Sequence, residues 1–211
     1  MLDENSLVKK IKTLLKNSKI KKIVNSKIQE FKELGKSSNE AIFNELCFCI
    51  LTANYNAEKA IKIQQEIGNG FFSDKDIITK LRSLGYRYPN LRGKYIIEAR
   101  KIIDKLNDII NSLKGQELRN WFVQNIKGLG YKEASHFLRN IGFTDFAIID
   151  FHIIDILVKN KLIEKPTSKS LSKRKYLEIE SVLKNLADQL GITLAELDLY
   201  LWYLETNKIL K

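Results

Sequence analysis

The sequence predicts an all-α protein, and three observations support this fold class. The chain of 211 residues contains only two prolines, Pro89 and Pro166, so few positions interrupt a helix. Apolar residues recur with the spacing of amphipathic helices, whereas alternating runs of the β type are few. Several helix starts are marked by a hydroxyl residue three positions before an acid. With 44% hydrophobic residues, the chain can form a globular core.

Three helix starts can be read from capping pairs in chain order. The pairs are Ser37 with Glu40, Ser73 with Asp76, and Thr193 with Glu196. After Pro89, the segment NLRGKYIIEARKIIDKLNDIINSL keeps helical spacing over several turns. The run FAIIDFHIIDILV has the composition of a buried strand, but its neighbours are helical. We therefore predict a helix that begins near Asp150.

Composition excludes several classes of protein. No apolar run approaches the roughly 18 to 20 residues that cross a bilayer, so no membrane association is expected. The N-terminal residues MLDENSLVKK do not resemble a signal peptide, and we expect an intracellular protein of the cytoplasm or nucleoid. Cys47 and Cys49 lie in an apolar helical stretch and are predicted to be buried and reduced. Two cysteines cannot build a four-cysteine zinc site or iron–sulfur cluster, and no metal site is predicted.

The charge balance points to a polyanionic partner. Lysine and arginine number 36 against 25 acidic residues, which gives a net charge of +11. Such a charge favours association with nucleic acid, although lysines on amphipathic helices also keep a surface soluble. The basic, hydroxyl-rich segment 164–175 is either a phosphate contact or a solvated connector.

The segment KGLGYK is predicted to be a tight turn between two helices. Glycine pairs such as Gly128 and Gly130 leave backbone N–H groups uncovered, and here these groups precede a helix start where partial positive charge collects. A phosphate can dock at such a turn. Glycine is also common wherever helices end, so the pair by itself fits an ordinary cap equally well.

Lys132 and Asp150 are the candidate catalytic residues that follow this turn. A lysine in the first helical turn opposes the helix dipole, and partial burial there would favour the neutral, nucleophilic amine. A plain solvated lysine is the alternative. Asp150 follows 18 residues later, after a strongly apolar run. A carboxylate in that position either assists catalysis or caps the next helix, and the two roles are compatible. His136 and His152 lie nearby in sequence and are expected to pack rather than react.

The combination KGLGYK…AIIDFH resembles the helix–hairpin–helix DNA glycosylases, and the likeness covers nearly the whole chain. Absence of a C-terminal four-cysteine cluster argues against the endonuclease III and adenine glycosylase branches. The short length, the segment LTANYN and the terminal LYLWYLETNKILK most resemble the compact archaeal-type 8-oxoguanine DNA glycosylases. The resemblance implies one glycosylase unit over residues 1–211 with two helical lobes and an active-site cleft between them. The approximate lobes are 39–149, which includes the hairpin 125–142, and 1–38 plus 150–211.

The resemblance also implies roles for individual residues. Lys132 would attack C1′ of a flipped nucleotide, release 8-oxoguanine and form a Schiff base that cleaves the strand by β-elimination, with Asp150 in support. The hairpin amides of Gly128 and Gly130 would hold phosphate. A monovalent cation could also bind at the hairpin, and no cofactor would be required. Further DNA contacts are expected from Asn54, which fills the gap left by the extruded nucleotide, from Tyr86 or Tyr88 as a wedge, and from Arg92. Trp202 and Lys211 would recognise the base.

Two other interpretations stay open at this stage. The same chemistry could act on another damaged base or on abasic sites, or the chain could be a non-catalytic helix–hairpin–helix module that only binds DNA. For the 8-oxoguanine glycosylase interpretation, the expected partner is double-stranded DNA containing 8-oxoguanine, bound by a monomer. Within LTANYN, the sequence also leaves open whether Asn54 or Asn56 faces the DNA. Trp202 has the competing role of an ordinary core residue.

Overall fold

The computed structural model describes residues 6–168 and 170–211, and this part of the chain is helical without strands, which confirms the all-α prediction. Its α-helices are α1 Ser6–Lys16, α2 Ser18–Leu34, α3 Asn39–Thr52, α4 Ala57–Ile67, α5 Gly70–Ser73, α6 Ile77–Ser83, α7 Pro89–Ala99, α8 Leu106–Ser112, α9 Gly115–Asn125, α10 Tyr131–Asn140, α11 Phe151–Lys159, α12 Lys173–Leu190 and α13 Leu194–Thr206. A 3₁₀-helix, Arg100–Lys105, joins α7 to α8. None of the described helices has the length and apolarity to cross a membrane.

Two of the predicted capping pairs are wrong by a short shift. Helix α3 is capped by Ser38, whose hydroxyl accepts from the backbone N–H of Ala41 at 3.4 Å, while the Ser37 hydroxyl donates to the Glu33 carbonyl. Asp76 is itself the cap of α6, and its carboxylate accepts from the N–H of Thr79 at 3.1 Å. Ser73 ends the preceding helix. In both cases a neighbouring side chain with the required extended or non-helical backbone takes the cap.

The third capping pair and the helix at Asp150 are confirmed. Thr193 and Glu196 form a reciprocal capping box at the start of α13. Asp150 is the cap of α11, as the sequence predicted. The helical segment after Pro89 is interrupted, because residues Arg100–Lys105 tighten into a 3₁₀-helix. The guanidinium of Arg100 donates to the Phe71 carbonyl at 2.7 Å at that break.

The chain divides into two compact units, Glu33–Ile141 and Met1–Lys32 with Gly142–Lys211. Helix α3 forms the centre of the first unit, where it contacts α4, α5, α7, α8 and α10. Its residues from Ile42 to Thr52 are buried with the exception of Asn44, which explains an apolar composition on every face. Cys47 and Cys49 are fully buried and free, as predicted, and burial raises the pKa of the Cys47 thiol well above its usual value.

A buried carboxylate joins three helices inside this unit. Glu45 on α3 is 3% exposed. One of its oxygens accepts from the Asn140 side chain on α10 at 2.5 Å, and the other accepts from the Gln64 side chain on α4 at 3.1 Å. A buried charge is tolerated only when hydrogen bonds replace its water, so this network sets how α3, α4 and α10 pack.

The second unit is built around α12 and α13. Helix α1 packs on both of them through Leu7, Val8 and Ile11. Before α11, residues 146–149 are buried and form neither a helix nor a strand. This explains the strand-like composition of FAII. The residues are buried like those of an interior strand, but their backbone groups form hydrogen bonds with side chains instead of a neighbouring strand.

We expect Asn140→Ala to lower the free energy of unfolding by about 1–3 kcal/mol, because Glu45 stays buried after losing a hydrogen-bond donor. Urea-induced unfolding followed by circular dichroism measures the change. Asn111→Ala, at an exposed position of α8, is the matched control and should change stability by less than about 0.5 kcal/mol. Equal stability of the two variants would contradict the structural role of the Glu45 network.

Candidate active site

The predicted hairpin is a tight turn between α9 and α10. Gly128 has φ of +90°, a conformation that favours glycine. A Cβ atom at this position would lie 2.6 Å from Nη1 of Arg92 and 2.6 Å from a ring carbon of Tyr95, so the close approach also requires glycine. Gly130 is the cap residue of α10 and has extended backbone. The turn therefore has the form that the glycine pair predicted.

Glu133 occupies the hairpin amide that the sequence assigned to phosphate. Its Oε2 accepts from the Gly130 N–H at 3.2 Å, and its Oε1 lies 3.6 Å from Nζ of Lys132. The Lys132 side chain is 26% exposed and that of Glu133 is 16% exposed. One carboxylate thus links the hairpin amide to the candidate nucleophile. Sequence analysis missed Glu133, although its position three residues after Gly130 is the capping-box spacing.

Asp150 caps α11, and side chains from a distant helix hold the segment just before it. Its Oδ1 accepts from the Ile153 N–H at 3.0 Å. The backbone just before it is fixed by Tyr176 of α12, whose hydroxyl accepts from the Ile149 N–H at 3.2 Å and donates to the Ala147 carbonyl at 2.7 Å. Glu180 of the same helix accepts from the Ala147 N–H at 3.0 Å. Asp150 is partly exposed, and within the described part of the chain Ile153 alone hydrogen-bonds its carboxylate.

The sequence-predicted catalytic pair is divided between the two units. Lys132 belongs to the unit Glu33–Ile141, together with both hairpin glycines. Asp150 belongs to the other unit. Each residue stands at the beginning of a helix, Lys132 in the first turn of α10 and Asp150 as the cap of α11.

Arg92 joins the hairpin to the turn that carries Asn54. It is 8% exposed, and its guanidinium donates to the carbonyls of Gly128 and Ala53, both at 3.3 Å. Asn54 is exposed and has a positive φ of +58°. Asn56 instead caps α4, because its side chain accepts from the Lys59 N–H at 3.0 Å. Of the two asparagines, only Asn54 is left without a capping role.

The two wedge candidates have different environments. Tyr86 is 4% exposed and its hydroxyl donates to the Leu51 carbonyl at 2.8 Å; burial raises the pKa of Tyr86 to about 12. Tyr88 is partly exposed at the start of α7, with the Arg87 guanidinium 5.0 Å above its ring. Leu91, one turn further, is 48% exposed. Tyr86 therefore lies in the core, and sequence analysis missed Leu91 as an accessible apolar side chain beside Tyr88.

The C-terminal candidates lie in the unit that contains Asp150. Trp202 of α13 is partly exposed, and its ring meets the edge of His152 at a centroid distance of 5.6 Å. Its indole N–H is buried without a hydrogen-bond partner among the described residues. Lys211 is partly exposed beyond the end of α13. In the other unit, His136 packs against Phe48 with ring centroids 5.6 Å apart.

Comparison with known proteins assigns the chain to a family. A family model for 8-oxoguanine DNA glycosylase matches residues 24–192. The 8-oxoguanine DNA glycosylase/AP lyase of Korarchaeum cryptofilum is 50% identical over 200 residues, covering 93% of this chain and 94% of the relative. The protein of the same description from Methanocaldococcus jannaschii is 50% identical over 208 residues, covering 97% and 99%.

Solved structures agree over the same length. The M. jannaschii 8-oxoguanine glycosylase/lyase in complex with a 15-mer DNA containing 8-oxoguanine matches with a TM-score of 0.92 at 50% identity, covering 97% of this chain and 99% of that one. The Thermotoga maritima 8-oxoguanine DNA glycosylase matches with a TM-score of 0.90 at 40% identity, covering 97% and 98%. This chain belongs to the 8-oxoguanine DNA glycosylase family.

Proposed function

We propose that this protein is a bifunctional DNA repair enzyme, which removes 8-oxoguanine from duplex DNA and then cleaves the strand at the abasic site. One observation carries the proposal: in a chain of this family, an amine stands in the first turn of α10, partly buried and next to a glycine hairpin. We propose that the protein acts on DNA as a monomer inside the cell.

The reaction begins with extrusion of the damaged nucleotide, since C1′ cannot be attacked inside a stacked duplex. Nζ of Lys132, in its neutral form, donates its lone pair to C1′. The bond from C1′ to the base breaks, and the base leaves with that electron pair and takes up a proton. The C1′–O4′ bond then breaks, O4′ takes up the proton that Nζ loses, and the nitrogen lone pair forms the C=N bond of a Schiff base. No step requires a cofactor.

Strand cleavage follows from the same intermediate. The positively charged imine acidifies C2′, and loss of a C2′ proton expels the 3′ phosphate by β-elimination. Water then hydrolyses the imine and frees Lys132. In this scheme the Asp150 carboxylate stabilises the positive charge that develops on the sugar and orients the attack. Its fixed position as a helix cap suits this role, because a preorganised charge needs no rearrangement during the reaction.

The hairpin is the proposed phosphate site. An arriving phosphate would compete with the Glu133 carboxylate for the Gly130 N–H, since two anions repel at one donor. The displaced carboxylate would remain next to Lys132. A monovalent cation does not suit the Gly128 carbonyl, because that oxygen already accepts from the positive guanidinium of Arg92. The hairpin glycines therefore act through their amides in this proposal.

The turn at Asn54 and the start of α7 are the proposed gap-filling elements. Asn54 is exposed, and Tyr88 and Leu91 are accessible one helical turn apart. Arg92 is better suited to holding the turns than to contacting DNA, because its guanidinium bonds to two backbone carbonyls. We keep Trp202 and Lys211 as the proposed base-recognition residues. The unpartnered indole N–H of Trp202 supports this assignment.

Borohydride reduction should trap a covalent adduct between the protein and a duplex that contains 8-oxoguanine opposite cytosine. Lys132→Gln should abolish this adduct, because glutamine has no nucleophilic amine. Lys127→Gln, in the same turn, is the control and should still be trapped at saturating enzyme. A panel of other damaged bases and abasic sites tests the choice of lesion. An undiminished adduct with Lys132→Gln would refute the nucleophile.

Asp150→Asn should slow base removal by about a hundredfold or more while DNA affinity changes little. Asparagine caps a helix as well as aspartate does, so the start of α11 is preserved and only the charge is lost. Single-turnover base release measures the chemistry, and fluorescence anisotropy with the lesion duplex measures affinity. Parallel losses in rate and affinity would indicate a structural role instead.

Arg92→Ala and Asn54→Ala should have non-additive effects on affinity for the lesion duplex. Asn54 can fill the gap only while Arg92 holds the Ala53 carbonyl, so the second substitution should cost little once the first is made. A double-mutant cycle measured by anisotropy gives the coupling, which we expect at about 0.5–3 kcal/mol. Additive effects would show that the two residues act independently.

A further inference from the structure

The net positive charge of the protein is concentrated in its first two helices. Residues 6–29 contain eight lysines and no acidic residue, so this segment carries eight of the eleven net charges. The lysines are Lys9, Lys10, Lys12, Lys16, Lys19, Lys21, Lys22 and Lys27. The rest of the chain, by difference, is close to balanced. A uniform lysine-rich composition would not produce this asymmetry.

The fold turns these lysines toward water. The apolar face of α1, formed by Leu7, Val8 and Ile11, is buried against α12 and α13. On α2 the buried positions include Ile20 and Val24. The side chains at 10, 16, 19, 21 and 22 are exposed. Lys27, the last of the eight, forms an ion pair with Glu30 at 2.6 Å.

The junction between the two helices is fixed. Only Asn17 separates α1 from α2, and its side chain accepts from the N–H groups of Lys19 and Ile20 at 3.1 and 3.2 Å. The lysines at the end of α1 and the start of α2 are therefore held on one continuous backbone. Helix α2 alone is about 25 Å long at 1.5 Å per residue, enough to follow several phosphates of a duplex strand.

We propose that α1 and α2 form a second contact surface for the phosphate backbone of duplex DNA, distinct from the hairpin. This inference rests on the proposed function, because it takes DNA as the substrate. Seven of the eight lysines precede residue 24, where the match to the family model begins. The surface binds any duplex without regard to sequence or damage, raises the rate of encounter and retains the protein on undamaged DNA.

Anionic lipid is the other polyanion that basic amphipathic helices bind. Such helices insert their apolar face into the bilayer. Here that face of α1 is occupied by packing against the rest of its unit, so it is not free to insert into a bilayer. The phosphate backbone of DNA is the better match, since it needs no apolar insertion.

The test compares two triple variants. The first replaces Lys16, Lys19 and Lys22 by glutamine. The matched control replaces Lys101, Lys105 and Lys114 by glutamine. These lysines are also exposed, but they lie within residues 98–117, a segment with four basic and four acidic residues and therefore no net charge. Glutamine and lysine have similar helix propensity, so both variants should fold, and circular dichroism verifies this.

Affinity for an undamaged duplex is measured by anisotropy from about 50 to 200 mM salt. The first variant should reduce the magnitude of the slope of log K against log salt by about two to three, while the control keeps the wild-type slope. Base removal from a lesion duplex at saturating enzyme should be unchanged in both. An unchanged slope in the first variant, or an equal reduction of the slope in the control, would overturn the proposal that α1 and α2 form a second DNA contact surface.

Two further outcomes separate the possible failures. If wild type forms the borohydride adduct but the first variant keeps the full slope, only the second surface is wrong. If wild type forms no adduct with any lesion, the proposed function itself fails. Binding of wild type to vesicles of anionic phospholipid that is lost in the first variant, without a change in DNA slope, would assign the lysines to lipid and refute the inference.

Discussion

The start of helix α10 brings three sources of positive potential to one place: the Gly130 amide of the hairpin, the helix dipole and the amine of Lys132. These repel one another, and Glu133 is the group that offsets them, with one oxygen on the Gly130 amide and the other near Lys132. The same accumulation of positive potential is the physical basis of the phosphate site that we propose at this turn. The contact that stabilises the start of α10 and the proposed anion site therefore have one electrostatic cause, and the Glu133 carboxylate occupies the amide that a phosphate would use.

In each unit, a carboxylate from another helix holds the element that carries the proposed catalytic residue. In the unit of Lys132, Glu45 joins α3 and α4 to α10, the helix that begins at the hairpin. In the unit of Asp150, Glu180 accepts from the backbone N–H of Ala147, three residues before the cap. Buried charges are costly unless their hydrogen bonds are complete, so each network tolerates few alternative arrangements. Rigid scaffolds of this kind are what preorganised catalysis requires.

The features that the sequence predicted well are those that depend on neighbours along the chain. The helical fold class, the cap at Asp150 and the turn at the glycine pair all follow from local backbone chemistry. Failures came where a choice depended on distant contacts or on one-residue differences in backbone shape. Ser38 rather than Ser37 caps α3 because Ser37 bonds back to the end of α2. No local signal indicated that Tyr86 would reach the Leu51 carbonyl, or that Tyr176 would anchor residues 147–149.

The net charge of +11 does not distinguish long-range attraction to DNA from selection of a single nucleotide, whereas the distribution of charge along the chain does. Long-range attraction depends on the sum of many exposed charges and is weakened by salt, with a screening length of about 8 Å under physiological conditions. Selection of a single nucleotide depends on a few fixed groups within hydrogen-bonding distance. The lysines of α1 and α2 suit the first task because they are numerous and most of them are exposed. In the proposed function the second task belongs to the base-recognition residues Trp202 and Lys211, which lie outside α1 and α2. A protein that must examine a long excess of undamaged duplex gains from keeping these functions on different residues, because the strength of capture can then change without altering the geometry of attack.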